Sequence, residues 1–552
     1  MITCSRSFAL VLVASVAAGC GPGPTARPPT PMPQPPVVAE PTPVPPPPPT
    51  PEPAPVTQSA QPQELTFPDE PFRAEQPKAG PPRPFRLPKV QTFKLKNGIT
   101  VYLVEQHTLP IVSIDLTFDG GTIADPVGKQ GLASVCMSMV SEGTVALDKL
   151  AFSEALADVA SSVSSYAGVD TQGVSMSTLS KHMDVTFGLF VDTLLTPGFR
   201  ASDLDRMIKR RLEGLKQAKG NPEAVASRVA GPVLYGDAHA FGRITTEASL
   251  GAITLDDCKA YHAAHLKPAG ARLFVVGDLT AAQIRERFEG PALAAWKGKA
   301  PALPGLSKPA KAKARIHFVH IPGAAQSQIS LAHFGPLRNA PDYLATSIMA
   351  SILGGGFTSR INMNLREGKG YTYGARAGIS YSRYYGVIGA GGSVRSDATY
   401  QSLLELQREL RDLERGTVPA TAAELERERA SAVLGLPSRF ATAGASLGMF
   451  RSLVYYGLPL DYWASYSTKI DKVTAAQVKA SAKKHLRSAD AIYVVVGDGD
   501  APVIVREDGK DVPLMADGKQ LTLRDALEKL AAERTLGPGG LLVLDPDGKP
   551  LP

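Results

Sequence analysis

Residues Leu353 to Tyr373 read Leu-Gly-Gly-Gly-Phe-Thr-Ser-Arg-Ile-Asn-Met-Asn-Leu-Arg-Glu-Gly-Lys-Gly-Tyr-Thr-Tyr. Three glycines end one apolar run, a short amphipathic segment follows from Thr358 to Arg366, and Gly368 and Gly370 break it again. The pattern predicts helix, glycine turn, helix, then a strand beginning near Tyr371. A fixed cation, Arg366, and a phenol, Tyr373, then sit seven residues apart across a helix-to-strand turn. Both can donate hydrogen bonds to one carbonyl or oxyanion.

Working outward, the chain follows one plan twice. Phe93 to Glu105 holds two alternating apolar runs around Asn97-Gly98, a strong hairpin signal, and Ile111 to Phe118 alternates again as a strand. Helical patterns follow at Gly131–Met139, Leu150–Ala160, Met183–Leu195, Ser202–Ala218 and Pro222–Leu234, with a strand pair around Val163 to Ser177. This half closes on a buried-strand run, Leu273-Phe-Val-Val-Gly-Asp278. A Pro/Lys/Ala-rich connector covers 301–313, and strands and helices then restart at Arg315 and end on Ile492-Tyr-Val-Val-Val-Gly-Asp498. The Val-Val-Gly-Asp endings at 275–278 and 495–498, about 220 residues apart, mark an internal duplication. We therefore expect two homologous α+β domains, 89–300 and 314–500, each a largely antiparallel sheet with helices packed on one side. The tail, 501–552, has two Asp-Gly turns (Asp508-Gly509, Asp547-Gly548) around an amphipathic stretch from Leu523 to Arg534 and reads as a small cap or docking appendage.

The N-terminus reads as export and a tether. Residues 1–20 carry Arg6, an apolar run from Phe8 to Ala18 that is too short to span a bilayer, and then Ala-Ala-Gly-Cys20. The last four residues resemble a bacterial lipobox, which implies a lipid anchor on Cys20; Gly21 after it fits an outer-membrane lipoprotein facing the periplasm. Residues 21–88 hold 26 of the 48 prolines, a composition that favours extended polyproline II over a core. The net charge of +7 is spread without a basic stripe, which argues against nucleic acid as a partner. Of four cysteines, Cys136 and Cys258 remain beyond the N-terminal segment; they can pair in an oxidising compartment, but their spacing does not show it.

The glycine-rich stretch followed by Leu365-Arg-Glu-Gly-Lys-Gly-Tyr-Thr-Tyr373 resembles the second-half signature of the pitrilysin/insulinase zinc peptidases, which include the mitochondrial processing peptidases. The resemblance covers about residues 90 to 500 and implies a half-molecule, one jaw of a clam shell that two chains close around a peptide. It assigns substrate and oxyanion contacts to Arg366 and Tyr373. In that family the first-half helix carries His-x-x-Glu-His, two imidazoles on one helix face binding zinc and a Glu activating the bound water. Here the motif positions hold Ser134, Val135, Cys136, Met137 and Ser138. Hydroxyls are poor zinc ligands, and a thioether cannot take a proton from water. The family's third ligand, a Glu some 75 to 80 residues on, falls between Arg211 and Leu215, where Glu213 is the one carboxylate.

Other histidines do not replace the motif: His262 and His265 lie at i, i+3 on a helix without a Glu between them, and His317 and His320 face opposite sides of a strand. The reading that follows is a zinc-free subunit inactive alone, without a cofactor of its own, that lends Arg366 and Tyr373 to a zinc-bearing, pitrilysin-like partner hydrolysing peptides. A non-enzymatic scaffold or peptide-binding lipoprotein is the alternative. An autonomous peptidase would need metal where Ser134 and Ser138 sit.

Overall fold

The computed structural model describes residues 70–74 and 86–552. The expected signal peptide, Cys20 and most of the proline-rich tether lie outside the described residues. Residues 70–74 belong to a separate unit and form one 3-10 turn, Pro71–Ala74; 81–552 make up the other.

In the first half, β1 (Gln91–Lys94), β2 (Thr100–Glu105) and β3 (Ile111–Asp119) lead into α1 (Leu132–Val140) and α2 (Lys149–Ala157). Then come β4 (Ser162–Ala167), β5 (Thr171–Leu179), α3 (Met183–Leu195), α4 (Ala201–Ala218) and α5 (Pro222–Tyr235). Next are α6 (Glu247–Gly251), α7 (Leu255–His265), β6 (Arg272–Gly277), α8 (Ala281–Phe288) and α9 (Pro291–Ala294). The second half repeats the order with β7 (Ile316–His320), β8 (Gln326–Gly335), α10 (Tyr343–Gly354), α11 (Arg360–Asn362), β9 (Thr372–Tyr381) and β10 (Gly386–Arg395). It continues through α12 (Thr399–Arg415), α13 (Ala422–Leu434), α14 (Ala443–Tyr455), α15 (Tyr466–Asp471), α16 (Ala475–His485) and β11 (Ile492–Gly497), and the tail adds β12 (Ile504–Glu507), β13 (Lys510–Pro513), β14 (Met515–Ala516), β15 (Lys519–Gln520), α17 (Leu523–Ala532) and β16 (Leu541–Leu544). No helix among the described residues is long and apolar enough to cross a membrane.

Each half builds a six-stranded sheet, β1-β2-β6-β3-β5-β4 and β16-β7-β11-β8-β10-β9, where β16 is Leu541–Leu544. The two Val-Val-Gly-Asp runs end β6 and β11, the strands paired parallel to β2 and β7 and antiparallel to β3 and β8. Buried on both faces, these two strands are continuous apolar runs. The fold is α+β with two like domains, as the sequence predicts.

Two features go beyond the sequence reading. The tail supplies the sixth strand of the second sheet: β16 lies parallel to β7, and the turn after it reaches back to the first half, where Asp547 binds Lys219 (2.8 Å) and Arg228 (2.8 Å). The halves also exchange a helix. α5 leaves the first half and lays Val225, Val229 and Val233 on Val319, Val494 and Val496 of the second sheet. α14 leaves the second half and packs on β3 and β6 of the first sheet. Each sheet thus has its own helices on one face and a borrowed helix on the other.

Candidate functional site

Helix α1 carries the five positions that the zinc motif would fill. It starts at Gly131, whose φ of 100° suits a residue without a Cβ. Asp125 holds this end by accepting from Gly131 N (2.7 Å) and Ala133 N (2.9 Å), and burial pushes its carboxyl up to about 6. Ser134 and Ser138, at i and i+4, share the face turned toward α4, and Met137 is fully buried.

The third-ligand window resolves at its first residue. Arg211, 77 residues after Ser134, donates from Nη1 to Ser134 Oγ (3.0 Å) and from Nη2 to Ser138 Oγ (2.9 Å) and Ser134 O (3.2 Å). Ser138 Oγ in turn donates to Ser134 O (2.8 Å). No carboxylate among the described residues pairs with Arg211; burial, and then the neighbouring Arg210 charge, pull its pKa down. Glu213, two residues on, is exposed. A guanidinium now sits on the two residues that should hold a divalent cation. It occupies their lone pairs and would repel that cation, so this residue set does not fit zinc.

Between the two serines, Cys136 forms a disulfide with Cys258 of α7, Cα to Cα 4.7 Å. This settles the pairing that spacing left open. The ring of His262 donates to Leu194 O (2.7 Å) and that of His265 stacks on Tyr261 (centroids 4.3 Å), with burial lowering both pKa values. His320 groups with Asp498 and Asp500, but its Nδ1 accepts Gly499 N–H (2.8 Å), which leaves the proton on Nε2. Neither ring nitrogen is then free to ligate a metal.

The second-half stretch folds as read, with one addition: Met363–Gly368 is a single π-helical turn, a form that recurs at functional sites. Gly354 lets α10 press against β9, since a Cβ there would run into the Ala377 backbone. Arg360 pins the glycine segment to α13 through a two-pronged pair with Glu424 (2.8 and 2.8 Å) and bonds to Val418 O and Pro419 O. Arg366 lies over the Phe357 ring (4.7 Å) with Nε 3.3 Å from Glu367. Tyr373 follows on the edge strand β9. A bulge there sets Tyr373 and Gly374 opposite Ser393 alone and turns the phenol out, 88 % exposed. No hydrogen bond joins Arg366, which is half-buried, to the exposed Tyr373.

The family description Insulinase (Peptidase family M16) matches residues 100–232, and Peptidase M16 inactive domain matches residues 252–432. The chain belongs to the M16 peptidase family. Among M16 relatives it is similar to the Non-peptidase homolog YmxG of Helicobacter pylori, 22 % identical over 406 residues, 72 % of this chain and 92 % of that protein. It is also similar to the Zinc protease PqqE of the same organism, 20 % identical over 66 % of this chain and 83 % of that one. The crystal structure of a peptidase M16 inactive domain from Pseudomonas fluorescens superposes with a TM-score of 0.68 at 28 % identity, covering 74 % of this chain and 98 % of that one. A protease from Helicobacter pylori shares the fold, with a TM-score of 0.67 at 18 % identity over 74 % of this chain and all of that one.

Proposed function

We propose that this chain is the zinc-free subunit of a two-chain M16 peptidase, inactive alone, that lends Arg366 and Tyr373 to peptide hydrolysis by a zinc-bearing partner. The observation that carries the reading is the contrast between the two sites. Arg211 closes the metal position, while the bulge in β9 holds Tyr373 in water, where an aromatic side chain gains nothing for the fold. Donors aimed at a developing oxyanion need not share a chain with the metal. Water activation belongs to the partner, a chain of the kind that the similar Helicobacter zinc protease represents. Cys20 would anchor the assembly to the outer membrane on its periplasmic side. The name of the non-peptidase homologue supports inactivity alone and equally suits a peptide-binding scaffold.

The test is hydrolysis of an unstructured fluorogenic peptide by this chain, by a zinc-motif partner, and by the two together. Activity is expected only in the mixture, and Arg366→Ala or Tyr373→Phe should each lower it by roughly 10²- to 10³-fold, the typical cost of one oxyanion donor. Activity indifferent to both substitutions would leave the scaffold.

A further inference from the structure

The joint between α14 and the first sheet holds a half-open cavity of about 230 Å³. Its polar wall includes Arg272, Arg383 and Arg451 with the hydroxyl residues Thr117, Thr171 and Ser452, and its apolar wall includes Tyr166, Phe274 and Tyr455. The carboxylates that balance these arginines, Asp115, Asp119 and Asp170, stand behind them and do not line the space. Arg272 and Arg383 share one oxygen of Asp119, and Arg451 binds Asp115 and the Tyr166 hydroxyl. Each arginine hydrogen-bonds the described protein through a single terminal nitrogen. Its other N–H groups are left for the cavity or solvent, except that Arg383 Nε and Asp170 Oδ2, 3.5 Å apart, are buried with no hydrogen-bond partner.

A second observation concerns the wall that α14 contributes. Gly448 sits mid-helix, with no left-handed φ, and a Cβ built there meets nothing within 4 Å. Neither backbone nor packing requires glycine, and glycine is unfavourable inside a helix. The glycine inside α5, Gly231, is by contrast required: a Cβ there would lie 2.8 Å from Phe241 O. What the missing side chain at Gly448 does is keep the cavity open.

We infer that this cavity binds a small carboxylate carried on a short apolar chain, either a free organic acid or the C-terminus of a short peptide. Guanidiniums recognise carboxylates through paired N–H donors, and a partly dry site between two domains strengthens the attraction. Arg383 and Arg451 lie over the Tyr455 and Tyr166 rings, so Phe274 and Val454 are the part of the wall that takes the apolar chain. The inference does not depend on a partner subunit.

The experiment is calorimetric titration of the intact chain with succinate, with N-acetyl-alanyl-alanine and with the C-terminal amide of that dipeptide. An acid should bind, and the amide at least tenfold more weakly than the dipeptide acid if the dipeptide is the better ligand. Tighter succinate marks a free acid as the ligand, tighter dipeptide a peptide terminus. Gly448→Leu fills the space and should weaken binding at least tenfold while the far-UV spectrum is kept; if that variant does not fold, Arg272→Gln should show the same loss. No binding of either acid at millimolar concentration, an amide that binds as well as its acid, or binding unchanged in the folded variant would overturn the inference.

Discussion

Helices α5 and α14 hold equivalent places in the duplicated plan, and each crosses to the other half's sheet, but they do so by different chemistry. The contact of α5 is a valine stripe at i, i+4 and i+8 on a valine sheet, fully buried apart from its rim. α14 packs Leu447, Phe450 and Leu453 into a core that also takes in Val104, Phe274 and Val276 of the first sheet, and beside it presents Gly448, Arg451, Ser452 and Tyr455 to that sheet. There Arg451 meets Asp115, which is 3 % exposed, and burial and then the Asp115 charge push the Tyr166 phenol up. One joint is apolar throughout; the other adds a charge network and a cavity beside its apolar contact. The duplication therefore fixes where the halves touch but not how, and the polar joint is where a ligand can enter.

The contrast breaks most visibly at Arg451. Arg451→Met leaves Asp115 buried with only hydroxyl partners, which should cost about 3–5 kcal/mol in urea unfolding. Arg451→Met with Asp115→Leu should recover most of that loss, because removing both charges removes the desolvation cost as well. If the single substitution costs under about 1 kcal/mol, the joint is solvated and the contrast with α5 fails. On the apolar side, Val229→Ala removes two buried methyl groups and leaves a gap that a sheet cannot close, for about 2–3 kcal/mol by the same measurement.

The glycines inside the two helices sharpen the comparison further. Gly231→Ala drives a methyl into Phe241 O and should destabilise by roughly 1–2 kcal/mol. Gly448→Ala adds one to open space in a helix and should stabilise by about 1 kcal/mol. Melting temperatures that moved the same way for both would show that the cavity beside Gly448 closes in solution.

These differences explain what could be read from the chain. Strands β6 and β11 were legible because burial on both faces makes them unbroken apolar runs, and the glycine stretch was legible because Gly354 and the turn before Tyr371 leave few other conformations. α14 was not, since Arg451, Ser452 and Tyr455 on one helix face resemble a solvated face, and only a partner sheet 336 residues away in sequence half-buries them. β16 has four residues after Gly537-Pro-Gly-Gly540 and gains its place by pairing with β7. The Cys136–Cys258 pairing spans 122 residues, beyond any local rule. Arg211 lies within the expected ligand window, whose one carboxylate is Glu213; the usable signal is a cation at the spacing where the family places a metal ligand, opposite two hydroxyls.

Arg211 supplies the smallest expected effect and the clearest contrast with Arg451. Both arginines are partly buried and contact hydroxyls, but Arg451 neutralises a carboxylate whereas Arg211 neutralises nothing, and burial lowers its pKa. An unpaired, partly desolvated cation brings its own penalty, which its three hydrogen bonds to Ser134 and Ser138 offset. Arg211→Met should therefore stay within about 1 kcal/mol of the parent in urea unfolding, because Ser138 keeps its bond to Ser134 O and the thioether fills the stem's space. A loss as large as that for Arg451→Met would mean that the guanidinium has taken over the metal's structural role in joining α1 to α4. A near-neutral result would mean that the position where the family places its metal is closed by Arg211 but not held together by it, with the Cys136–Cys258 bond fixing α1 instead.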